Sequence, residues 1–189
     1  MVRLALVILA GYLLGSIPVA VLIGRLHRVD PREKGDRNPG YWNMKETLGR
    51  RAALPVFIGD ALKGALAGLV GRLAGGPWWI AYFAVGAAMV GHAWPLFARF
   101  RGGRSILAFG GGVVVIAPLV AAFTIGALLV VTLLTRRFAY GARVGVFGFP
   151  VIQAFLEPRA RVATTGLLLS IIGLRFALAA HSPRQGEQT

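Results

Sequence analysis

The 189-residue chain is 56% hydrophobic, carries 21 Lys and Arg against 7 Asp and Glu for a net charge of +14, and contains no cysteine. Its apolar residues come in runs long enough to span a bilayer, which excludes an ordinary soluble domain and points to one membrane-embedded domain over residues 1–189. The missing cysteine excludes disulfides and thiol chemistry, and basic residues set between apolar runs point to topology and to anionic lipid or phosphorylated substrate, not to nucleic acid.

Leu4–Ile23 reads as a retained first span, with a signal peptide as the alternative; membrane helices tolerate its Gly11, Gly15 and Pro18. The polar loop Arg25–Arg51 follows. Its centre, DPREKGDRNPGYWN, is rich in turn-forming residues and should be irregular. Ala52–Leu73 is the second span and Ala74–Pro77 a turn. Trp78–Phe97 is the third span, with Trp78 and Trp79 suited to a membrane interface. The basic loop Ala98–Arg104 comes next. Ile106–Leu134 is long for one span and short for two. Gly110–Gly112 and Pro118 interrupt it, which predicts two short or tilted helices with a turn near Pro118–Phe123. Thr135–Arg143 reads as a basic connector. Val144–Phe155 is a weaker span, with extension back to Phe138 left open. Glu157–Arg161 is polar, Val162–Ala180 is the last span, and His181–Thr189 is a polar tail.

The chain is therefore an all-α, polytopic membrane protein with about seven transmembrane helices, or six if Ile106–Leu134 crosses once. Seven spans with the N-terminus out and the C-terminus in place Arg25, Arg28, Arg32, Lys34, Arg37, Lys45, Arg50 and Arg51 inside. Arg99, Arg101, Arg104, Arg136, Arg137, Arg143 and Arg184 join them. Only Arg3, Arg72, Arg159 and Arg161 then lie outside, as the positive-inside rule prefers.

Four features could carry chemistry. In GHAWPLFARFRGGRSILAFG (Gly91–Gly110), Arg99, Arg101 and Arg104 surround Gly102-Gly103. Arginine forks match phosphate oxygens and glycines let backbone approach a ligand, so this stretch reads as a phosphate cradle or as a positive-inside tight turn. Asp60 and Lys63, at i and i+3 within a span, share a helix face and pair, for structure or for substrate. His92 reads as a helix-packing hydrogen-bond partner or as a group beside the cradle. Asn38, Pro39, Gly40 and Asn43 read as turn chemistry or as a re-entrant loop offering amides to a polar ligand. Arg175, in the last span, reads as snorkelling to the inner surface. No HExxH, Walker or GxSxG motif is present, and three histidines with seven acids leave a metal site without ligands to spare.

Read together, the motifs resemble the acyl-phosphate:glycerol-3-phosphate acyltransferases, the PlsY-type bacterial membrane enzymes. The family's Gly-Ser-Ile-Pro matches Gly15-Ser16-Ile17-Pro18. Its first loop, Gly-Ser-Gly-Asn-Pro-Gly-Ala-Thr-Asn, aligns with Gly35 through Asn43. Its Asp-x-x-Lys-Gly matches Asp60 through Gly64. Its Gly-His-x-x-Pro-x-Phe-x-x-Phe-x-Gly-Gly-Lys matches Gly91, His92, Pro95, Phe97, Phe100, Gly102 and Gly103, with Arg104 at the lysine.

The resemblance implies a seven-helix enzyme of the bacterial inner membrane with its active site facing the cytoplasm. It transfers a fatty acyl group from acyl phosphate to glycerol 3-phosphate, giving lysophosphatidic acid, without cofactor or metal. It also implies that Arg101, Gly102, Gly103 and Arg104 bind phosphate and that Asn38, Gly40 and Asn43 bind the polar acceptor. Asn43, His92 and His181 would lie near the reacting atoms, and Asp60 and Lys63 in the substrate site. The chain departs from the family at Asp36, where a serine stands, at Glu46, where an arginine stands, and at Arg184, at the asparagine of a His-x-x-Asn motif begun by His181. Asp36 and Glu46 should repel phosphate unless their neighbours Arg37 and Lys45 neutralise them. They leave open a second reading, an inactive or acceptor-shifted relative that binds lipid or a partner. A small transporter built on Asp60 and Lys63 is disfavoured, because no internal repeat is present.

Overall fold

The computed structural model describes residues 1–181, which form eight α-helices and one 3-10 turn. In chain order these are α1 (Val2–Gly15), α2 (Val19–Leu26), α3 (Tyr41–Leu73), α4 (Trp79–Ala93), the 3-10 turn Leu96–Ala98, α5 (Ile106–Ile116), α6 (Pro118–Thr135), α7 (Phe138–Leu156) and α8 (Arg159–Ala180). Six segments among the described residues are long and apolar enough to cross a bilayer, with α1 and α2 counting as one. The eleven-residue α5 supplies a shorter seventh pass. Seven passes put the start of the chain and the end of α8 on opposite sides, and the distribution of Lys and Arg sets the start outside.

Four boundaries differ from those expected. The first span is broken at Ser16–Pro18, because Pro18 has no N–H to continue the helix. The second half of the first loop is helical: α3 begins at Tyr41, not Ala52. It is not one straight helix, for it bends at Gly49, whose φ of +84° and ψ of 172° are non-helical and open to glycine alone without strain. A short amphipathic segment, Tyr41–Leu48, thus leads into the span proper. The break in the long apolar run falls at Ala117, at the head of the region expected to turn, with Pro118 opening α6 where its missing N–H costs nothing. The connector after α6 shrinks to Arg136 and Arg137, and α7 does extend back to Phe138.

The core lies on α4. Tyr82, Val85 and Met89 pack with Phe109 and Val113 of α5, Phe149 of α7 and Leu168 and Ile172 of α8. Phe109 and Phe149 meet edge to face, with ring centres 5.6 Å apart. Small residues bring helices together where lipid offers no hydrophobic drive for association. A Cβ on Gly15 would strike the backbone of Ala88, and one on Gly64 the backbone of Ala108. Large apolar side chains such as Phe147, Phe155 and Leu167 are exposed, as lipid-facing residues are.

Candidate active site

α4 and α5 have fifteen and eleven residues, about 22 and 16 Å of helix, against about 30 Å of hydrocarbon. The turn that joins them therefore sits recessed below the inner surface. His92, just before it, lies beside Asp60, which is about 16 Å along α3 from the bend at Gly49. Non-helical backbone at such depth must be satisfied by protein, and here it is. Gly103 N–H donates to the His92 carbonyl at 3.0 Å, and Phe100 N–H to the Pro95 carbonyl at 2.9 Å. Ser105 Oγ donates to the Met89 carbonyl at 2.7 Å. Arg99, Phe100 and Ser105 all take positive φ, near 55–63°. Three non-glycine residues in the left-handed region within one turn is a strained arrangement of the kind that ligand sites hold.

The glycine pair is required by close approach. A Cβ on Gly102 would strike the His92 carbonyl, and one on Gly103 the His92 Nε2, with the Pro39 carbonyl at 3.2 Å. Arg175 of α8 fixes the pair from the far side. Its Nη2 donates to the Gly102 carbonyl at 2.7 Å and its Nε to the Gly103 carbonyl at 3.1 Å, while its guanidinium lies 5.3 Å from the Trp94 ring centre. The expectation that Arg175 snorkels to the surface is thereby corrected: its charge is spent inside the bundle, on two carbonyls that no helix satisfies.

Asp60 and Lys63 are buried, at 2% and 4% exposure, and paired at 2.9 Å. Lys63 Nζ also donates to the Ile17 carbonyl at 3.2 Å, a group freed by the break before Pro18. His92 Nδ1 stands 3.5 Å from Asp60 Oδ1. The Gly-Ser-Ile-Pro, Asp-x-x-Lys and Gly-His motifs are thus three sides of one network. With Pro39, Arg101, Gly102 and Gly103 they line a narrow cleft. Ser16 Oγ is buried nearby with no hydrogen-bond partner among the described residues.

The first loop closes over this cleft. Asp30 grips Arg32, with Oδ2 at 2.6 Å from Nη2, and Arg32 Nη1 reaches the Ala98 carbonyl at 3.3 Å. The hydrogen-bonded guanidinium of Arg32 holds the Asp30 carboxyl below the usual carboxylate range, against the opposing effect of partial burial. Asn43 is fully buried. Its amide nitrogen donates to the Pro31 and Lys34 carbonyls at 2.8 and 3.0 Å and its oxygen accepts from Thr47, so it holds the loop from within and does not line the cleft. Gly40 opens α3, with its N–H on the Asn38 carbonyl at 2.8 Å; half-buried Asn38 directs its own N–H to Asp36 Oδ1 at 3.1 Å.

Asp36 is neutralised, but not by Arg37 or Lys45. Its Oδ2 accepts from Arg104 Nη1 at 3.0 Å, and that guanidinium also covers the Phe176 ring at 4.6 Å. Lys45 instead sits over Trp42 at 4.3 Å. Glu46 is exposed. His181 is exposed at the end of α8, its Nδ1 at 2.7 Å from the Ala177 carbonyl of its own helix. Arg184 lies outside the described residues.

Sequence reasoning missed three features: the Asp60–His92 contact, the Lys63 bond to Ile17 and the grip of Arg175 on the glycine turn. The first two carried a signal, a histidine and an ion pair at comparable depth in neighbouring spans. For Arg175 the signal was its place in α8, five residues short of the helix end.

Fold and site define a polytopic helical membrane protein with a recessed cleft lined by Lys63, Arg101, His92 and the glycine turn, whose cationic donors suit a phosphate-bearing ligand. The chain matches the glycerol-3-phosphate acyltransferase family over residues 5–184 and belongs to it. It is 41% identical to a glycerol-3-phosphate acyltransferase of Rubrobacter xylanophilus over 140 residues, 74% of this chain and 70% of the relative. It is 40% identical to that of Bordetella pertussis over 177 residues, 89% of this chain and 80% of the relative. The crystal structure of PlsY (YgiH), an integral membrane glycerol 3-phosphate acyltransferase in its glycerol 3-phosphate form, superposes with a TM-score of 0.81. Its sequence is 26% identical, and the match covers 97% of this chain and 96% of that one.

Proposed function

We propose that this chain transfers a fatty acyl group from acyl phosphate to the 1-hydroxyl of glycerol 3-phosphate, at a site facing the cytoplasm of a bacterial inner membrane. The ester bond forms as the hydroxyl oxygen attacks the acyl carbonyl carbon. The bond from that carbon to phosphate breaks, and the hydroxyl proton ends on the released phosphate. An acyl phosphate is already activated, so positioning and charge stabilisation are what the protein must supply. Arg101, Arg104 and the Gly102-Gly103 turn receive phosphate, Asn38 and Gly40 shape the acceptor side, and His92, held against Asp60, stands beside the reacting groups. Asn43 and Lys63 act by holding the loop and the α1–α2 break. His181 reaches the reaction only if the end of α8 turns inward when substrate binds.

The observation that carries this reading is the convergence of the first loop with the glycine turn, bridged by Arg104 and Asp36 at 3.0 Å. Asp36 takes one nitrogen of the guanidinium that the substrate phosphate would meet and sets a negative charge beside it. An exposed pair of this kind is worth about 0.2–1 kcal/mol, so Asp36→Ser should lower the KM for glycerol 3-phosphate about 1.5- to 5-fold. The purified protein, given acyl phosphate and glycerol 3-phosphate, should release phosphate and form lysophosphatidic acid. Transfer to an unphosphorylated alcohol in preference would establish the acceptor-shifted relative, which exposed Glu46 favours. No transfer to either would establish the inactive one.

A further inference from the structure

At the opposite end of α4 lies a second cavity, of about 370 Å3. Tyr82, on its wall, is ten residues or about 15 Å along α4 from His92, so the cavity opens on the outer face, away from the cleft. Its polar lining is Arg72, Trp78, Tyr82, Glu157 and Arg161. The one carboxylate in that lining is engaged: Glu157 accepts from Arg161 Nη1 at 3.0 Å and from Gln153 Nε2 at 2.7 Å. Gln153 is fully buried and its Nε2 also donates to the Tyr82 hydroxyl at 3.0 Å, so it braces both groups from beneath. Arg161 lies 5.5 Å from the Trp78 ring centre. Arg72 uses one nitrogen on the Val115 carbonyl at 2.9 Å, and a guanidinium has further donors. Arg3 adds a third cation, its Nη1 3.5 Å from where a Cβ on Gly76 would stand at the rim. Helices α4, α6 and α8 begin around this space and α3, α5 and α7 end there, so their dipoles offset and the side chains decide its charge.

The outer side of this bundle carries few arginines, and three of the four gather at one cavity against a single engaged acid. We propose that this cavity holds the phosphodiester of an anionic phospholipid from the outer leaflet. Arginine forks suit phosphate, the excess positive charge favours a headgroup without an ammonium, and Trp78 marks the interface depth. Leu73 and Leu119 beside it are exposed, at 77% and 60%, where the acyl chains of such a lipid would lie.

The test is native mass spectrometry of the purified protein, with phosphatidylglycerol and phosphatidylcholine supplied in equal amount. The natural protein should retain phosphatidylglycerol, and Arg72→Gln should retain at least fivefold less in its most tightly held position. Glu157→Gln, which removes the acid from the lining, should retain as much or more. Arg3→Gln serves as a second loss variant at an exposed residue, and unchanged turnover in either variant establishes that the bundle and its inner cleft are intact. Equal retention of phosphatidylcholine, or undiminished phosphatidylglycerol in both arginine variants, would overturn the proposal. So would displacement of the lipid by millimolar inorganic phosphate, which would make the site one for the free anion.

Discussion

Lys63→Met is the sharpest perturbation of this fold. Met keeps the unbranched shape of the side chain, one atom shorter, and removes its charge. Asp60, at 2% exposure, is then left as a buried carboxylate with only His92 Nδ1 near it at 3.5 Å, and the Ile17 carbonyl keeps only the Val19 N–H at 3.0 Å of its two donors. Breaking a buried pair by removing one partner costs about 3–5 kcal/mol, because the remaining charge is uncompensated. For a chain of this size about 1 kcal/mol corresponds to 2–4 °C, so the melting temperature in detergent should fall by about 6–20 °C. The double variant Asp60→Asn with Lys63→Met removes both charges and leaves a hydrogen-bonding amide; it should recover most of that loss. Differential scanning fluorimetry on the three purified proteins reads both numbers. A single variant that melts within about 2 °C of the parent, less than even 1 kcal/mol should produce, would refute the argument, as would a double variant no more stable than the single one.

Gly103→Ala should leave expression nearly intact and cut turnover about 100-fold, since the new methyl must push the His92 ring aside by about 1 Å while the Pro39 carbonyl gives only slightly; a steady-state assay measures it. Arg175→Met frees the Gly102 and Gly103 carbonyls and should raise the KM for phosphate-bearing substrates more than it lowers kcat, while Arg175→Lys, which restores a donor, should regain part of the loss. The Asp30 carboxyl titrates below its unfolded value, so the stability it contributes is present above that value and is lost as pH falls through the lower folded one; Asp30→Asn should flatten the acid limb of a melting-temperature profile below about pH 4 and leave the neutral region no more acid-sensitive.

The spans were legible in the sequence because hydrophobic length is set by the bilayer, and the orientation because arginine and lysine counts differ so strongly between faces. The interruptions were less legible. Pro18 was visible, but a proline inside an apolar run does not say whether the helix kinks or stops. Here it stops, and the freed Ile17 carbonyl is met by the Val19 N–H and by Lys63. Gly49 was equally visible, and nothing local distinguished a bend at φ +84° from an ordinary helical glycine. The motif residues were found by spacing. Their division of labour was not, because it depends on which neighbours reach which backbone groups: Asn43 turns inward to Pro31 and Lys34, and Arg175 turns inward to the glycine pair.

That division bears on how substitutions at Asp36 can be carried. In isolation an acid among phosphate ligands is repulsive, and the sequence offers Arg37 and Lys45 as its neutralisers. In the fold Arg37 is exposed, Lys45 is committed to Trp42, and Asp36 pairs with Arg104 across sixty-eight residues of chain. The resemblance drawn from the sequence motifs sets a serine and a lysine against these two positions, where this chain has an acid and a fork able to hold it. A lysine carries its three donors on one nitrogen, so a carboxylate and a phosphate would have to crowd the same atom. A guanidinium has donors left over after one bond to a carboxylate. Arg104 can therefore keep Asp36 and still meet a phosphate oxygen, and Arg104→Lys in the natural background should raise the KM for glycerol 3-phosphate more than the same change made together with Asp36→Ser. Additive effects of the two substitutions on KM would show that the pair does not act as a unit.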